Sequence, residues 1–188
     1  MKSQLEHIKH LFKTYGDKRY GEDCSVISHS FQSGYLAWKK GLDDELVLSA
    51  FLHDIGHLVP LDNKQLSRGI SEFGTVDHEM VGANYLEYIG LSDRIAQVIR
   101  LHVACKRYLC ASEPGYYDAL SHASKSSLEY QGGPMSKKEQ NKFVENPYFK
   151  DALEIRRIDD EAKGLDFNVS DEHWDLLSLL IIQNIYNE

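Results

Sequence analysis

LSAFLHDIGH, residues 48–57, decides how the rest of the chain is read. Its apolar residues do not alternate, and Asp43 or Asp44 upstream is a good N-cap, so the pattern predicts a helix running on through His57. A histidine and an aspartate inside such a run are costly to bury unless something compensates them. A metal ion is the simplest compensation. Adjacent helical residues point about 100° apart, so His53 and Asp54 can both turn toward one cleft. The two carboxylate oxygens of Asp54 could bridge two ions. His57 lies one turn beyond His53 on the same face.

The helical period continues on either side. Residues 3–14 place Leu5, Ile8, Leu11 and Phe12 on one stripe, and a polar loop, TYGDKRYGEDC (14–24), follows. Segment 25–40 reads as a helix with Val26, Phe31, Tyr35 and Trp38 inward and Gly41 as its stop. Residues 58–74 contain Pro, Gly and Asn without a period and read as an irregular excursion. Further helices are expected near 75–89, 93–109, 115–129, 136–144, 147–163 and 171–186, and no alternation marks a strand. The expected fold class is all-α, a helical bundle, an architecture that builds metal sites between facing helices.

The 188 residues suit one domain. A net charge of −8 argues against non-specific nucleic-acid binding, which needs a basic surface. No run approaches the ~18 apolar residues of a membrane span. The opening MKSQLEHIKHLFKTYG is too polar for a signal peptide, so a cytoplasmic location is the default expectation. Cys24, Cys105 and Cys110 are odd in number and lack metal-ligand spacing, so free thiols are expected.

The nine histidines are the unusual feature. His7, His10 and His173 read as surface residues. His29 in SVISHSFQ, His78 in DHEMVGANYL and His102 after IAQVIRL each fall on a separate expected helix. Together with His53 and Asp54 they offer nitrogen and oxygen donors without thiolate, which suits iron or manganese better than structural zinc. The string RRIDDEA offers Asp159, Asp160 and Glu161 as a further carboxylate, and composition does not choose among them.

The order H…HD…D, with an added histidine pair, resembles the HD-domain superfamily. Within it, HVACKRYL (102–109) and SKSSLEYQGGPM (124–135) resemble the mixed-valent di-iron oxygenases, closest to the family of 2-amino-1-hydroxyethylphosphonate dioxygenase (glycine-forming); myo-inositol oxygenase is a more distant relative. The resemblance runs from about Tyr20 to Asp160 and implies a single HD-type domain over 1–188 with its core roughly at 20–165.

It implies two iron ions, Fe(II) and Fe(III): one held by His29, His53 and Asp159, the other by His78 and His102, with Asp54 bridging. The family spacing from the last histidine is what selects Asp159. The resemblance places Asp54, His57 and Lys106 at the reacting centre and assigns substrate contacts to His57, Lys106, Ser124 and Arg156. Arginine would grip a phosphonate by a two-bond fork and lysine as a point charge. A Tyr-X-Gly-Glu pattern in the family corresponds to Tyr20-Gly21-Glu22, one residue shorter here. It implies that Tyr20 occupies an iron position until substrate arrives and that Glu22 faces a substrate amine. The implied reaction is O₂-dependent cleavage of the carbon–phosphorus bond of a 1-hydroxyphosphonate, turning (R)-2-amino-1-hydroxyethylphosphonate into glycine and phosphate in organophosphonate catabolism. Hydroxymethylphosphonate, having no amine, would leave Glu22 unpaired. The alternative is metal-dependent hydrolysis of a phosphate ester, the commonest activity of the wider superfamily.

Overall fold

Helices make up nearly all the regular structure in the computed structural model, which describes residues 2–66, 69–163 and 166–185. The chain opens with α1 (Lys2–Tyr15) and α2 (Val26–Lys39), the latter capped by Ser25, whose Oγ accepts from the Ser28 N–H. In α3 (Asp44–Leu52), Asp43 is the cap and accepts from the Leu46 N–H at 3.1 Å.

This helix does not run through His57 as the sequence pattern predicts. It ends at Leu52, with His53 as its C-cap; Asp54 leaves helical geometry, and Ile55–His57 form a single 3-10 turn. Packing explains the break: a Cβ on Gly56 would lie 1.9 Å from the His78 carbonyl oxygen, so only glycine lets the turn sit this close to the helix beginning there.

Residues 58–74 are irregular as expected, but they hold α4 (Val59–Asp62) and the start of a hairpin, β1 (Ile70–Ser71) with β2 (Gly74–Thr75). The strands are antiparallel, Ile70 opposite Thr75 and Ser71 opposite Gly74. At two residues each they are too short to show alternation, so the expectation of no strand is corrected here.

Next come α5 (His78–Tyr88) and α6 (Asp93–Ser112). The helix expected at 115–129 is two, α7 (Tyr116–Ala119) and α8 (His122–Tyr130), because Ser121 stops to cap the second; its Oγ accepts from the Ser124 N–H at 3.1 Å. Helices α9 (Lys137–Phe143), α10 (Phe149–Glu161) and α11 (Asp171–Asn184) complete the described fold. Among the described residues no helix is long and apolar enough to cross a membrane.

The core centres on α3, which packs against α2, α6, α10 and α11. Phe51, Leu48 and Leu52 are fully buried there beside Phe31, Ile95, Ile99, Ile155 and Ile158. Gly34 of α2 lies flat on the Phe51 ring, where a Cβ would come within 2.1 Å. Phe51→Ala would cost about 3–5 kcal/mol. Trp38, expected inward, is 50% exposed and stacks on Tyr35 at the surface. Burying α3 on all sides fixes its C-terminal end, and His53 and Asp54 stand there.

Candidate metal centre

Two clusters of donor atoms meet at the end of α3. His29 Nε2 lies 3.1 Å from His53 Nε2 and 3.1 Å from Asp159 Oδ1. His78 Nε2 lies 3.0 Å from His102 Nε2. Asp54 stands between them: Oδ2 is 3.4 Å from His53 and 3.7 Å from His29, whereas Oδ1 is 3.5 Å from His78 and 3.8 Å from His102. Its two oxygens are therefore divided between the two histidine pairs.

Backbone partners fix which ring nitrogen carries the proton. His53 Nδ1 faces the Ala50 carbonyl at 2.9 Å, His102 Nδ1 the Ile99 carbonyl at 2.6 Å, and His29 Nδ1 the Ala162 carbonyl at 3.3 Å. A carbonyl only accepts, so each neutral ring is protonated at Nδ1 and presents a lone pair at Nε2. Facing lone pairs at such distances repel unless a cation lies between them. Ligands about 2.1 Å from a common ion and at right angles to each other stand about 3.0 Å apart. The donor set thus fits a pair of metal ions, His29, His53 and Asp159 forming one group and Asp54, His78 and His102 the other.

The electrostatics agree. Burial, reinforced by His53, pushes His102 down to about 3, and burial with His57 and His102 holds His78 well below its ordinary value. Both rings are neutral, as ligands must be. Burial also works against charge on His53, but Asp54 and Asp159 outweigh it and lift that ring to about 9. The carboxylates call for positive charge at this nitrogen. Burial opposes ionisation of both aspartates, yet His53 with its neighbours holds Asp54, and Arg156 with Lys163 holds Asp159, well below the usual carboxylate range.

The same end of the bundle opens into a cavity of about 510 Å³. His57 projects into it in the opposite tautomer to His29, His53 and His102. Its Nδ1 accepts the Thr75 N–H at 3.0 Å, so a neutral ring carries its hydrogen on Nε2 and acts as a donor. The hairpin can reach His57 only because residue 74 is glycine: a Cβ there would sit 2.4 Å from Nδ1, and φ is +97°.

Lys106 is 3% exposed and donates to Ser127 Oγ at 2.9 Å. Burial, then Arg156 and Lys163, pulls its ammonium down to about 7. Arg156 is 2% exposed and spends much of its guanidinium on protein partners, donating from Nη1 to Asp159 Oδ2 at 2.7 Å and from Nε to Tyr116 Oη at 2.8 Å. The three carboxylates of RRIDDEA separate cleanly. Asp159 joins His29 and His53, Asp160 pairs with Arg156 and Tyr116, and Glu161 reaches Lys40 at the surface.

Ser124 Oγ lies 2.6 Å from Lys163 Nζ, and Glu22 Oε1 accepts from Ser121 Oγ at 2.8 Å. Tyr20 adopts a left-handed backbone, φ +46°, that lays its ring against His57 with centroids 5.2 Å apart. Such a conformation costs a non-glycine residue about 1–3 kcal/mol. The Tyr20 Oη is buried and has no hydrogen-bond partner among the described residues.

The HD domain family matches residues 26–129, a span holding His29, His53, Asp54, His78 and His102. Over 179 residues the chain is 37% identical to [1-hydroxy-2-(trimethylamino)ethyl]phosphonate dioxygenase (glycine-betaine-forming) of Leisingera caerulea, covering 90% of this chain and 85% of that one. Over 162 residues it is 35% identical to hydroxymethylphosphonate dioxygenase of Gimesia maris, covering 86% and 79%. The chain belongs to the HD-domain phosphonate dioxygenase family. A protein of Acanthamoeba polyphaga mimivirus, L432, whose name assigns no activity, is 36% identical to this family member over 163 residues, covering 86% and 74%.

All the site residues expected from the sequence of this HD-domain protein line the cavity or the donor clusters behind it. Three others at the site escape sequence reading. Lys163 had a signal, its i, i+4 spacing from Asp159. Thr75 acts through its backbone N–H, which no side-chain pattern reveals. Tyr116 reaches Arg156 from a separate helix, so nothing local announces it. The cysteines are free, as expected.

Proposed function

We propose that the chain is a non-haem di-iron dioxygenase that cleaves the carbon–phosphorus bond of a 1-hydroxyphosphonate, with (R)-2-amino-1-hydroxyethylphosphonate and O₂ yielding glycine and phosphate. The observation that carries this reading is the division of the Asp54 oxygens between two histidine pairs at the floor of a cavity walled by Lys106, Arg156, His57 and Ser124. The phosphonate dioxygenases among its relatives support the class of reaction. Iron is favoured over zinc because the donors are nitrogen and oxygen and the chemistry consumes O₂. The whole of 1–188 is read as one HD-type domain.

His29, His53 and Asp159 would hold one ion, His78 and His102 the other, and Asp54 both. When bound, the iron pair supplies Lewis acidity and the one-electron chemistry that lets O₂ react with a C–H bond. The protein's part is to bind, orient and keep water out. Lys106 offers an ammonium, His57 an Nε2–H and Ser124 a hydroxyl to the phosphonate oxygens. Charge-assisted bonds of this kind are about twice as strong as neutral ones. Arg156 acts chiefly by holding Asp159 in place, and it lines the cavity in which the phosphonate would lie. Glu22 lies on the wall where the substrate's C2 substituent would extend. The buried, partnerless Tyr20 Oη suits a group that occupies the site until substrate arrives.

The stoichiometry is fixed by atom balance. The C1–H and C1–P bonds break, and carbon and phosphorus each gain one oxygen, so one O₂ is consumed per phosphate released. Iron-loaded protein given a panel of 1-hydroxyphosphonates should show that ratio and should stop when oxygen is removed. Phosphate release that continues anaerobically would refute the oxygenase reading, and oxygen-independent release from phosphate esters would return the site to hydrolysis.

A further inference from the structure

Lys163 lines the same cavity and has no part in the roles above. It follows α10 directly, one turn beyond Asp159. Its Nζ lies 2.6 Å from Ser124 Oγ, 3.2 Å from Glu22 Oε1 and 3.7 Å from Asp159 Oδ1. One ammonium thus touches the serine assigned to the phosphonate, the carboxylate assigned to the substrate's amine, and a carboxylate of the metal cluster. Glu22 Oε1 receives a second donor, Ser121 Oγ at 2.8 Å. The carboxylate that the sequence reading leaves unpaired without a substrate amine already has two partners.

We propose that Lys163 is the built-in counter-ion of Glu22 and sets how far the pocket distinguishes phosphonates that carry an ammonium group from those that do not. The inference rests on the reading above in one respect, that the phosphonate lies at Lys106 and Ser124 with its substituent toward Glu22. A ligand ammonium arriving at Glu22 meets a neutralised pair, so Coulomb attraction to the carboxylate is offset by repulsion from Lys163. An amine-free ligand leaves the part-buried Glu22 carboxylate compensated, because Lys163 and Ser121 stay in place. The pair therefore levels the pocket's preference. Removing Lys163 should sharpen that preference toward cationic substituents by baring Glu22.

Two phosphonates without the C1 hydroxyl, ethylphosphonate and 2-aminoethylphosphonate, test this by equilibrium binding to iron-loaded protein in a titration calorimeter. The ratio of their dissociation constants is the readout, and a general loss of fold or of phosphonate grip would weaken both ligands without moving it. Wild type should bind the two within about threefold of each other. Lys163→Met should move the ratio about tenfold or more toward the aminated ligand, as expected when one member of a part-buried ion pair lining the cavity is deleted. Lys163→Arg should restore the wild-type ratio, and the double variant Glu22→Gln with Lys163→Met should bring it back near one. Lys163→Gln serves in place of the methionine variant if that chain does not fold.

A ratio that Lys163→Met leaves within twofold of wild type overturns the inference, as does a shift that persists in the double variant. A wild type already favouring the aminated ligand more than tenfold overturns it as well. If wild type consumes O₂ with 1-hydroxyphosphonates while the ratio stays put, this inference alone fails. If wild type binds neither phosphonate and consumes no O₂ with any 1-hydroxyphosphonate, the functional reading fails with it.

Discussion

Gly56→Ala should cost this protein one of the two ions proposed for it before it costs the fold. The added methyl group would lie 1.9 Å from the His78 carbonyl oxygen and 2.7 Å from the Gly82 nitrogen, both backbone atoms of α5. Ordinary contact begins at 3.4 Å, so something must give by 3.4 − 1.9 = 1.5 Å. Either the Ile55–His57 turn moves or the start of α5 does, and both displace Asp54 relative to His78. Overpacking costs about 1–3 kcal/mol. In a chain of this size each kcal/mol lowers Tm by about 2–4 °C, so a fall of about 2–12 °C is expected. The effect on the site should be more severe, because metal–ligand distances tolerate only about 0.2 Å. The group of Asp54, His78 and His102 straddles the shifted contact. The group of His29, His53 and Asp159 stands on α2, the end of α3 and α10, away from it. Iron per chain after anaerobic reconstitution, measured by elemental analysis beside Tm, should approach one. Two irons per chain with an unchanged Tm would refute the claim that the closeness of this turn to α5 sets the second cluster.

Asp54→Ala should lose at least one iron by the same measurement, and two irons at full occupancy would end its bridging role. Chelation should lower Tm, because it removes the cation from between facing imidazole lone pairs. Iron at a thousandfold its dissociation constant stabilises by about 4 kcal/mol, so re-addition should raise Tm by about 8–16 °C; an unchanged Tm would argue against a metal in the folded state. Lys106, pulled down to about 7 by burial, loses its charge as pH rises through that value in the free enzyme. Phosphonate affinity should weaken over the same range, and Lys106→Met should abolish that dependence; a parallel profile in the variant would place the titration elsewhere. Because the folded value lies below the ordinary 10.5, the unfolded chain binds more protons between about 7 and 10.5. The contribution of Lys106 to stability therefore rises with pH across that window, and Lys106→Met should flatten the rise.

Much of this was legible in the sequence where residue type and helical period agree. An apolar run carrying His53-Asp54, with His29, His78 and His102 on other helices, was enough to expect converging donors, and the structure brings them together. The chain's irregularities were not legible. The end of α3 one residue before His53 is imposed by the backbone of α5, a contact made across the fold, and the periodicity of residues 46–57 carries no trace of it. Trp38 sits on the inward stripe by spacing yet lies half-exposed, because at the C-terminal end of α2 it is Ala37 that takes the buried position while Trp38 stacks on Tyr35. The family spacing picked Asp159 over its neighbours, whereas the reason lies in Tyr116, which draws Asp160 away.

What composition could least foretell is how five histidines so close together come to do different work. Residue type cannot decide it, since every ring begins with the same two nitrogens. The backbone decides. Where a backbone carbonyl faces Nδ1, as for His29, His53 and His102, the hydrogen is fixed on that side and the Nε2 lone pair is free to bind an ion. Where a strand N–H faces Nδ1, as Thr75 does for His57, the hydrogen moves to Nε2 and the ring becomes a donor. Among the described residues His78 has neither partner, and the Glu79 carboxylate lies 3.7 Å from its Nδ1, so its orientation depends more on where α5 begins. Of the histidines in the two donor clusters it is therefore the one most exposed to a shift of the helix that carries it. That is why a single methyl group on Gly56, which touches no ligand side chain, is expected to empty the cluster His78 shares with His102 while its neighbour across Asp54 survives.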